Sequence, residues 1–385
     1  MAGIKEYIPQ FGDRTFEEYP FNDCDALTLS EVIYMPFEKV VSASFKDEPR
    51  NFSDAAKELF DLRGSKHQKL GLMITNQSSL DMMAMSETAR FSEMKILAVH
   101  EVYSAKPAIQ YCAATFILPG DELVVVFRGT DDTLAGWKED LDLFTTKNPP
   151  SYDLALGYIE ELAREREGKI RICGHSKGGN IALMTALKCS EAVRQRIIGV
   201  YNNDGPGYHD YGIFHLGTYE EILPVYRHYV PNSSMIGMML AHDYDYKAVK
   251  STRLTGAFQH DLGTWKIKDG EIVTADDINL MAKITDTALA VLCSYASEKS
   301  AQAVDSIVTA FIDGLGEANL SDTAKHAFKS IRGALRSVKE VSPDIKDYVK
   351  ESFEGVGKDV FEAIKTIRST NIAELTGKAF AAIAR

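Results

Sequence analysis

The segment 170–189 constrains the fold more than any other part of this chain of 385 residues. It joins an apolar run, Ile170-Arg-Ile-Cys173, to the turn Gly174-His-Ser-Lys-Gly-Gly179 and then to a helical pattern of small and aliphatic residues. Glycine lacks the Cβ that would collide in a tight junction between a strand and a helix. The order of strand, turn and helix therefore predicts one unit of an α/β layer structure, with Ser176 at the bend.

Strand and helix patterns alternate on both sides of this unit. We expect a mostly parallel sheet with helices on both faces, because such alternation is typical of that architecture. The predicted strands are 95–103, 109–118, 122–128, 197–202, 223–230 and 246–251, the predicted helices are 152–167 and 178–189, and Asp269-Gly270 indicates a hairpin.

The two ends of the chain have different patterns. Before residue 92 the sequence predicts helices over Ser53–Arg63, capped by Ser53 and ended by Gly64, and over Leu80–Phe91. After about residue 275 the strand patterns stop. We therefore predict an α/β domain over 1–274 that includes an N-terminal helical segment, and an α-helical C-terminal region over 275–385.

Composition and short motifs exclude several classes of protein. Lys and Arg number 43 against 55 Asp and Glu, and the net charge of −12 argues against nucleic-acid binding, which needs a cationic surface. The five cysteines form no C-x-x-C pair, so they predict neither a disulfide framework nor a zinc cluster. Without a secretory signal pattern or a long apolar run, a cytoplasmic location is expected. Metal and nucleotide motifs are missing, so no cofactor is expected.

The C-terminal region is more basic than the rest of the chain. Residues 321–385 contain 12 basic and 9 acidic side chains, and Phe328, Ile331, Leu335 and Val338 form an apolar stripe at helical spacing. This pattern makes the region a candidate for docking on the acidic body or on an anionic membrane surface. The simpler interpretation is that these helices pack against the body or against each other.

The turn at Ser176 has the form G-x-S-x-G, which places a serine hydroxyl at the carboxyl edge of a sheet. The following helix directs its dipole towards that serine, and the backbone N–H of Lys177 would be one oxyanion donor. The Lys177 side chain would attract an anionic group or remain solvated at the helix start. The alternative is a glycine-rich turn with a serine that takes no part in chemistry.

Upstream, Phe127-Arg-Gly-Thr130 ends an apolar strand and is followed by Gly136-Trp137 and Asp140. Together with Gly-His-Ser-Lys-Gly-Gly, these motifs resemble the fungal-type triacylglycerol lipase branch of the α/β-hydrolases, and more closely a bacterial lipase-like family of unknown function. The resemblance covers about residues 91–273. It implies an α/β-hydrolase fold in which Thr130 supplies the second oxyanion donor.

A serine nucleophile needs a base and an orienting acid, in the chain order Ser, Asp or Glu, His. His260 follows the last strand-like run and is the predicted base; His242 and His215 are lesser candidates, and the alternative is a surface histidine. Fungal-type lipases place the acid just after the strand that corresponds to 223–230, but Pro231-Asn-Ser-Ser234 contains no carboxylate. Asp204, after the preceding strand, is the predicted acid; the other candidates are Asp243, Asp245 and Asp261.

These residues predict a serine hydrolase that cleaves carboxylic esters of small molecules or lipids through an acyl-enzyme. Two other functions stay open at this point. One is a hydrolase-fold binding or regulatory protein with weak catalysis, and the other is a membrane-surface protein that works through its basic C-terminal helices. The sequence leaves the oligomeric state open.

Overall fold

A computed structural model describes residues 3–63, 77–130, 148–208, 211–234, 236–240, 245–253, 256–279 and 282. Within these ranges an eight-stranded sheet and a separate two-stranded hairpin form the β-structure. The sheet strands follow each other in space in chain order: β1 (Arg50–Asn51), β2 (Lys95–Ala105), β3 (Ala108–Ile117), β4 (Leu123–Phe127), β5 (Ile170–His175), β6 (Ile197–Asn203), β7 (Tyr226–Pro231) and β8 (Lys247–Val249). The hairpin consists of β9 (Ile267–Lys268) and β10 (Glu271–Ile272), as Asp269-Gly270 predicted.

The sheet is antiparallel from β1 to β4 and parallel from β4 to β8. The connections explain the change, because antiparallel neighbours can be joined by a short turn whereas parallel neighbours need a crossover. Only Lys106 and Pro107 separate β2 from β3, while a helix lies between β4 and β5. The sheet is therefore mostly parallel, as predicted, with an antiparallel side formed by the earliest strands.

Helices cover the sheet on both faces. Val124, Val126, Cys173 and Tyr201 belong to a hydrophobic core that includes the N-terminal helices. Alternate residues of a strand point to opposite faces of the sheet. The strand residues next to these four therefore face the other side, where the helices that come after β4 in the chain pack. The helices are α1 (Ile4–Phe11), α2 (Asp23–Val32), α3 (Phe52–Arg63), α4 (Gln77–Ser86), α5 (Ala89–Ser92), α6 (Pro150–Glu165), α7 (Lys177–Lys188), α8 (Glu191–Arg194), α9 (Gly217–Ile222) and α10 (Gly256–Gln259).

A buried ion pair holds the N-terminal helices together. Arg90 donates two hydrogen bonds to the carboxylate of Asp25, and both side chains are fully buried. The guanidinium also donates to the backbone carbonyl of Tyr19, and Tyr7 donates its hydroxyl to Asp25. These groups satisfy one another away from water, so the ion pair joins α1, α2 and α5. The hydrophobic core shared with the strands packs these helices on the sheet.

Several local predictions need correction. Ser53 does not cap α3, because its hydroxyl donates to the carbonyl of Ser86, and the side chain of Asn51 accepts the bond from the N–H of Asp54 instead. The helix predicted over Leu80–Phe91 is two helices, α4 and α5, separated by a turn. The strand predicted over 223–230 begins only at Tyr226, after a 3-10 turn.

The predicted C-terminal region falls almost entirely outside the described residues, which include only 275–279 and 282 of it. Gly64, the predicted end of α3, also lies outside them. Among the helices that the structure describes, none has both the length and the apolar character needed to cross a bilayer. Cys24, Cys112, Cys173 and Cys189 are buried free thiols, and Cys293 lies outside the described residues.

Candidate active site

Ser176 occupies a strained bend between β5 and α7. Its φ of 58° and ψ of −132° lie in a backbone region that residues other than glycine rarely adopt. The flanking glycines are required by space: a Cβ on Gly174 would lie 2.1 Å from the carbonyl oxygen of Gly178, and a Cβ on Gly178 would lie 2.1 Å from that of Phe127. The sequence therefore packs α7 against β4 and β5 so closely that the serine is forced out of regular geometry.

The bend is attached to the next strand by its backbone. The N–H of Ser176 donates to the carbonyl oxygen of Asn203, with 3.0 Å between nitrogen and oxygen. Asn203 is the last residue of β6 and lies beside His175 in the parallel register. Asp204, the next residue, is thereby placed at the same carboxyl edge of the sheet as Ser176.

Asp204 and His260 form a buried hydrogen-bonded pair. Nδ1 of His260 and Oδ2 of Asp204 are 2.7 Å apart, and the two residues are 5% and 0% exposed. Asp204 has a φ of 53°, and its N–H donates to the carbonyl of Tyr229, which fixes the turn after β6. In the tautomer with a proton on Nδ1, His260 donates this hydrogen bond to the Asp204 carboxylate, and Nε2 carries the lone pair.

The second oxygen of Asp204 accepts two more hydrogen bonds. The hydroxyl of Ser234 donates to Oδ1 at 2.5 Å, and the N–H of Gly237 donates to the same oxygen at 3.1 Å. These donors stabilise the ionised carboxylate and fix its orientation. Ser234 is not among the predicted site residues, although it stands in the segment after β7 where the resemblance implied an acid.

His175, the residue before the serine, is fully buried against the base. Its Nε2 lies 2.8 Å from the carbonyl oxygen of His260, its Nδ1 lies 3.1 Å from the hydroxyl of Tyr34, and the two imidazole rings are 4.3 Å apart between centroids. Burial, followed by repulsion from His260, lowers the pKa of His175 well below its usual 6.5. His175 is therefore neutral at physiological pH.

The ring contact places His260 beside the bend that carries Ser176. Ser176 is partly exposed, whereas its neighbours in the bend are buried. The hydrogen bonds between described residues do not include one from Ser176 Oγ to His260 Nε2. In structures without substrate such bonds are often long, and they tighten when the substrate binds.

The two predicted oxyanion donors lie at the same edge. Lys177 is the first residue of α7, and the first-turn amides of a helix stand outside its own hydrogen-bond ladder. Thr130 follows β4, and Gly129 approaches the bend so closely that a Cβ there would lie 2.9 Å from Cβ of Ser176. Both backbone segments therefore border the serine.

The Lys177 side chain does not remain solvated at the helix start, because the residue is 1% exposed. Its Nζ donates to the backbone oxygen of Gln110 at 2.6 Å and to the amide oxygen of the same residue at 3.0 Å. The ammonium group therefore ties the start of α7 to β3.

The other candidates take different places. His215 is exposed in a 3-10 turn, and Asp245 is exposed as well. Asp261 is buried and accepts a hydrogen bond from the N–H of Gly263, and burial raises the pKa of its carboxyl group. His242 and Asp243 lie outside the described residues. Across the described ranges, no three His, Cys, Asp or Glu side chains are grouped as they would be around a metal ion.

A mostly parallel sheet flanked by helices, with a serine at a strained turn between strand and helix and a buried Asp–His pair beside it, defines an α/β protein. The model of the Mbeg1-like family matches residues 85–309, more than half of the chain. The chain belongs to the Mbeg1-like family, which is known as lipase-like. No curated protein and no solved structure matches it.

Proposed function

We propose that this protein is a serine hydrolase that cleaves carboxylic esters, of the fungal lipase-like kind, with Ser176 as nucleophile, His260 as base and Asp204 as orienting acid. The observation that carries the proposal is the buried hydrogen bond of 2.7 Å between His260 and Asp204 beside the strained Ser176. The two further donors to Asp204 fix the carboxylate that orients the proposed base. The family's lipase-like character supports the same reaction.

The reaction begins with attack of Ser176 Oγ on the ester carbonyl carbon, while His260 Nε2 accepts the hydroxyl proton. The carbonyl oxygen becomes an oxyanion, to which the backbone N–H groups of Thr130 and Lys177 donate. His260 then gives the proton to the leaving alcohol, and the acyl group stays on Ser176. Water then attacks the acyl group while His260 accepts its proton. The carboxylic acid product leaves, and Ser176 regains its proton from His260. Asp204 holds the neutral imidazole in the tautomer that carries its proton on Nδ1, and it stabilises the imidazolium that forms when Nε2 accepts a proton.

Differential stabilisation of the oxyanion supplies much of the rate. Loss of one such donor typically lowers turnover on the order of 100-fold or more. The dipole of α7 adds to this effect, because its N-terminus lies at Ser176 and favours negative charge there. The strained backbone at Ser176 keeps the hydroxyl aimed towards the substrate rather than towards its own helix.

Labelling by a fluorophosphonate probe tests the proposal. We expect wild-type protein to be labelled at Ser176 and to hydrolyse a panel of esters graded by acyl length, and Ser176→Ala to lose both activities. Ser190→Ala is the matched control, because Ser190 follows the far end of α7 and its hydroxyl donates to Glu160. Wild-type rates in the Ser176→Ala protein would overturn the assignment.

A further inference from the structure

We propose that Tyr34 and His175 are positioning residues. They hold the segment around His260, called the base loop here, against the bend that carries Ser176. The proposal rests on the function proposed above and extends it to a residue of the N-terminal segment. A continuous path of hydrogen bonds runs from Tyr34, just after α2, through His175 to the backbone of His260. Tyr34 and His175 are 5% and 1% exposed, so water does not compete for these bonds.

The direction of each hydrogen bond follows from the acceptor at its end. The carbonyl oxygen of His260 can only accept, so Nε2 of His175 carries the proton. Because the His175 ring is neutral, Nδ1 has a lone pair and accepts from the hydroxyl of Tyr34. Tyr34 thereby selects the tautomer of His175 that donates to the base loop. The opposite tautomer would point a lone pair at the carbonyl of His260.

The hydroxyl of Tyr34 also contacts the segment that carries Thr130, one of the two proposed oxyanion donors. A Cβ on Gly129 would lie 2.2 Å from the hydroxyl oxygen of Tyr34, so a larger residue at this position would displace it. Gly129 directly precedes Thr130. One phenolic group therefore contacts the backbone before Thr130 and, through His175, fixes the backbone of His260.

The N-terminal segment is tied to the site by a second contact. Ser30 of α2 accepts a hydrogen bond from the side chain of Asn203, whose backbone oxygen holds the N–H of Ser176. Both Ser30 and Tyr34 precede residue 85, where the family match begins. The N-terminal segment thus completes the supporting structure of the site and does more than cover one face of the sheet.

The first experiment compares ester hydrolysis by Tyr34→Phe with that by Tyr7→Phe. Tyr34→Phe removes only the hydroxyl, and we expect kcat to fall about tenfold with KM changed by less than about twofold, because a misplaced base slows the reaction without touching the substrate. Tyr7→Phe removes another buried hydroxyl of the N-terminal segment, one that donates to Asp25. It should retain wild-type kcat. Equal kcat for wild type and Tyr34→Phe would overturn the proposal.

The second experiment tests whether a hydrogen-bond donor at position 175 is sufficient to maintain kcat. The amide of His175→Gln can still donate to the carbonyl of His260, so its kcat should stay within about threefold of wild type, whereas His175→Leu should lose roughly 100-fold. Equal loss in both variants would show that the position matters only for packing, and would overturn the role assigned to the donor.

A spectroscopic measurement reads the tautomer without substrate. In wild-type protein labelled with ¹⁵N-histidine, the resonances assigned to His175 should report a proton on Nε2 only, and Tyr34→Phe should shift the Nδ1 resonance that loses its donor. A proton on Nδ1 in the wild type would overturn the hydrogen-bond path. If wild type shows the expected tautomer but no probe labels Ser176, the proposed function fails, and the positioning role fails with it. If wild type is labelled and Tyr34→Phe reacts equally fast, the positioning role alone fails.

Discussion

Ser234 donates its hydroxyl to Oδ1 of Asp204 at 2.5 Å, from the segment directly after β7. The resemblance to fungal-type lipases implied an acid in the segment that follows β7, whereas the acid proposed here, Asp204, follows β6 and the later segment supplies a donor to it. The two strands are parallel neighbours, so their ends meet at one edge of the sheet. The Asp204 carboxylate and the hydroxyl that donates to it therefore come from the ends of neighbouring strands.

Ser234→Ala tests this support. We expect the variant to lower kcat about three- to tenfold, because hydrogen bonds to charged groups contribute about 1.5–3 kcal/mol and Gly237 still donates to the same oxygen. Steady-state ester hydrolysis measures the effect. Ser233→Ala is the control: the hydroxyl of Ser233 accepts from the side chain of Asn279 rather than binding Asp204. If both variants lost activity equally, the contact with Asp204 would not be the cause.

Asp204→Asn distinguishes the acid from its neighbours. The amide cannot stabilise the imidazolium and favours the wrong tautomer of His260, so kcat should fall about 10³–10⁴-fold. Asp261→Asn should retain most activity, because Asp261 accepts from Gly263 at the start of a 3-10 turn. The reverse order of activities would transfer the role to Asp261.

Gly178→Ala probes the close approach of α7 to β4. The added Cβ would meet the carbonyl oxygen of Phe127 at 2.1 Å, and backbone must move to relieve it. We expect a loss of about 3 kcal/mol or more in the free energy of unfolding, measured by urea denaturation. Gly157→Ala is the matched substitution in α6, where a Cβ meets nothing within 4 Å. It should stabilise by about 0.5–1 kcal/mol, since alanine favours helix.

His175 makes stability depend on pH. Burial and the neighbouring His260 lower its pKa in the folded state well below 6.5, whereas the unfolded chain takes up a proton near 6.5. The contribution of His175 is therefore fully present above about pH 6.5 and decreases as the pH falls, by up to about 1.4 kcal/mol per pH unit. When the pH falls from about 7 to about 5, the free energy of unfolding decreases in both proteins. The decrease should be about 1 to 2 kcal/mol smaller in His175→Gln than in wild type. Urea denaturation at both pH values measures this, and identical losses would contradict the prediction.

The strand and helix pattern around Ser176 could be predicted because its causes are local. Glycines at fixed spacing, an apolar run before them and small residues after them leave the backbone few other conformations. The antiparallel arrangement of β1 to β4 was not predicted, because apolar runs look alike in parallel and antiparallel strands. The short connections carried that information: residues 106–107 join β2 to β3, and residues 118–122 join β3 to β4.

Sequence alone determined that a serine would stand at a tight bend and that a histidine and an acid would follow it in chain order. It favoured Asp204 as the acid but left Asp243, Asp245 and Asp261 as alternatives, because distances between residues far apart in sequence are not encoded locally. The tertiary structure pairs Asp204 with His260: parallel pairing of β6, β7 and β8 brings these residues, 56 positions apart, to one edge. The contributions of Ser234 and Tyr34 also come only from the tertiary structure, because each acts through a single hydroxyl whose partner is distant in sequence.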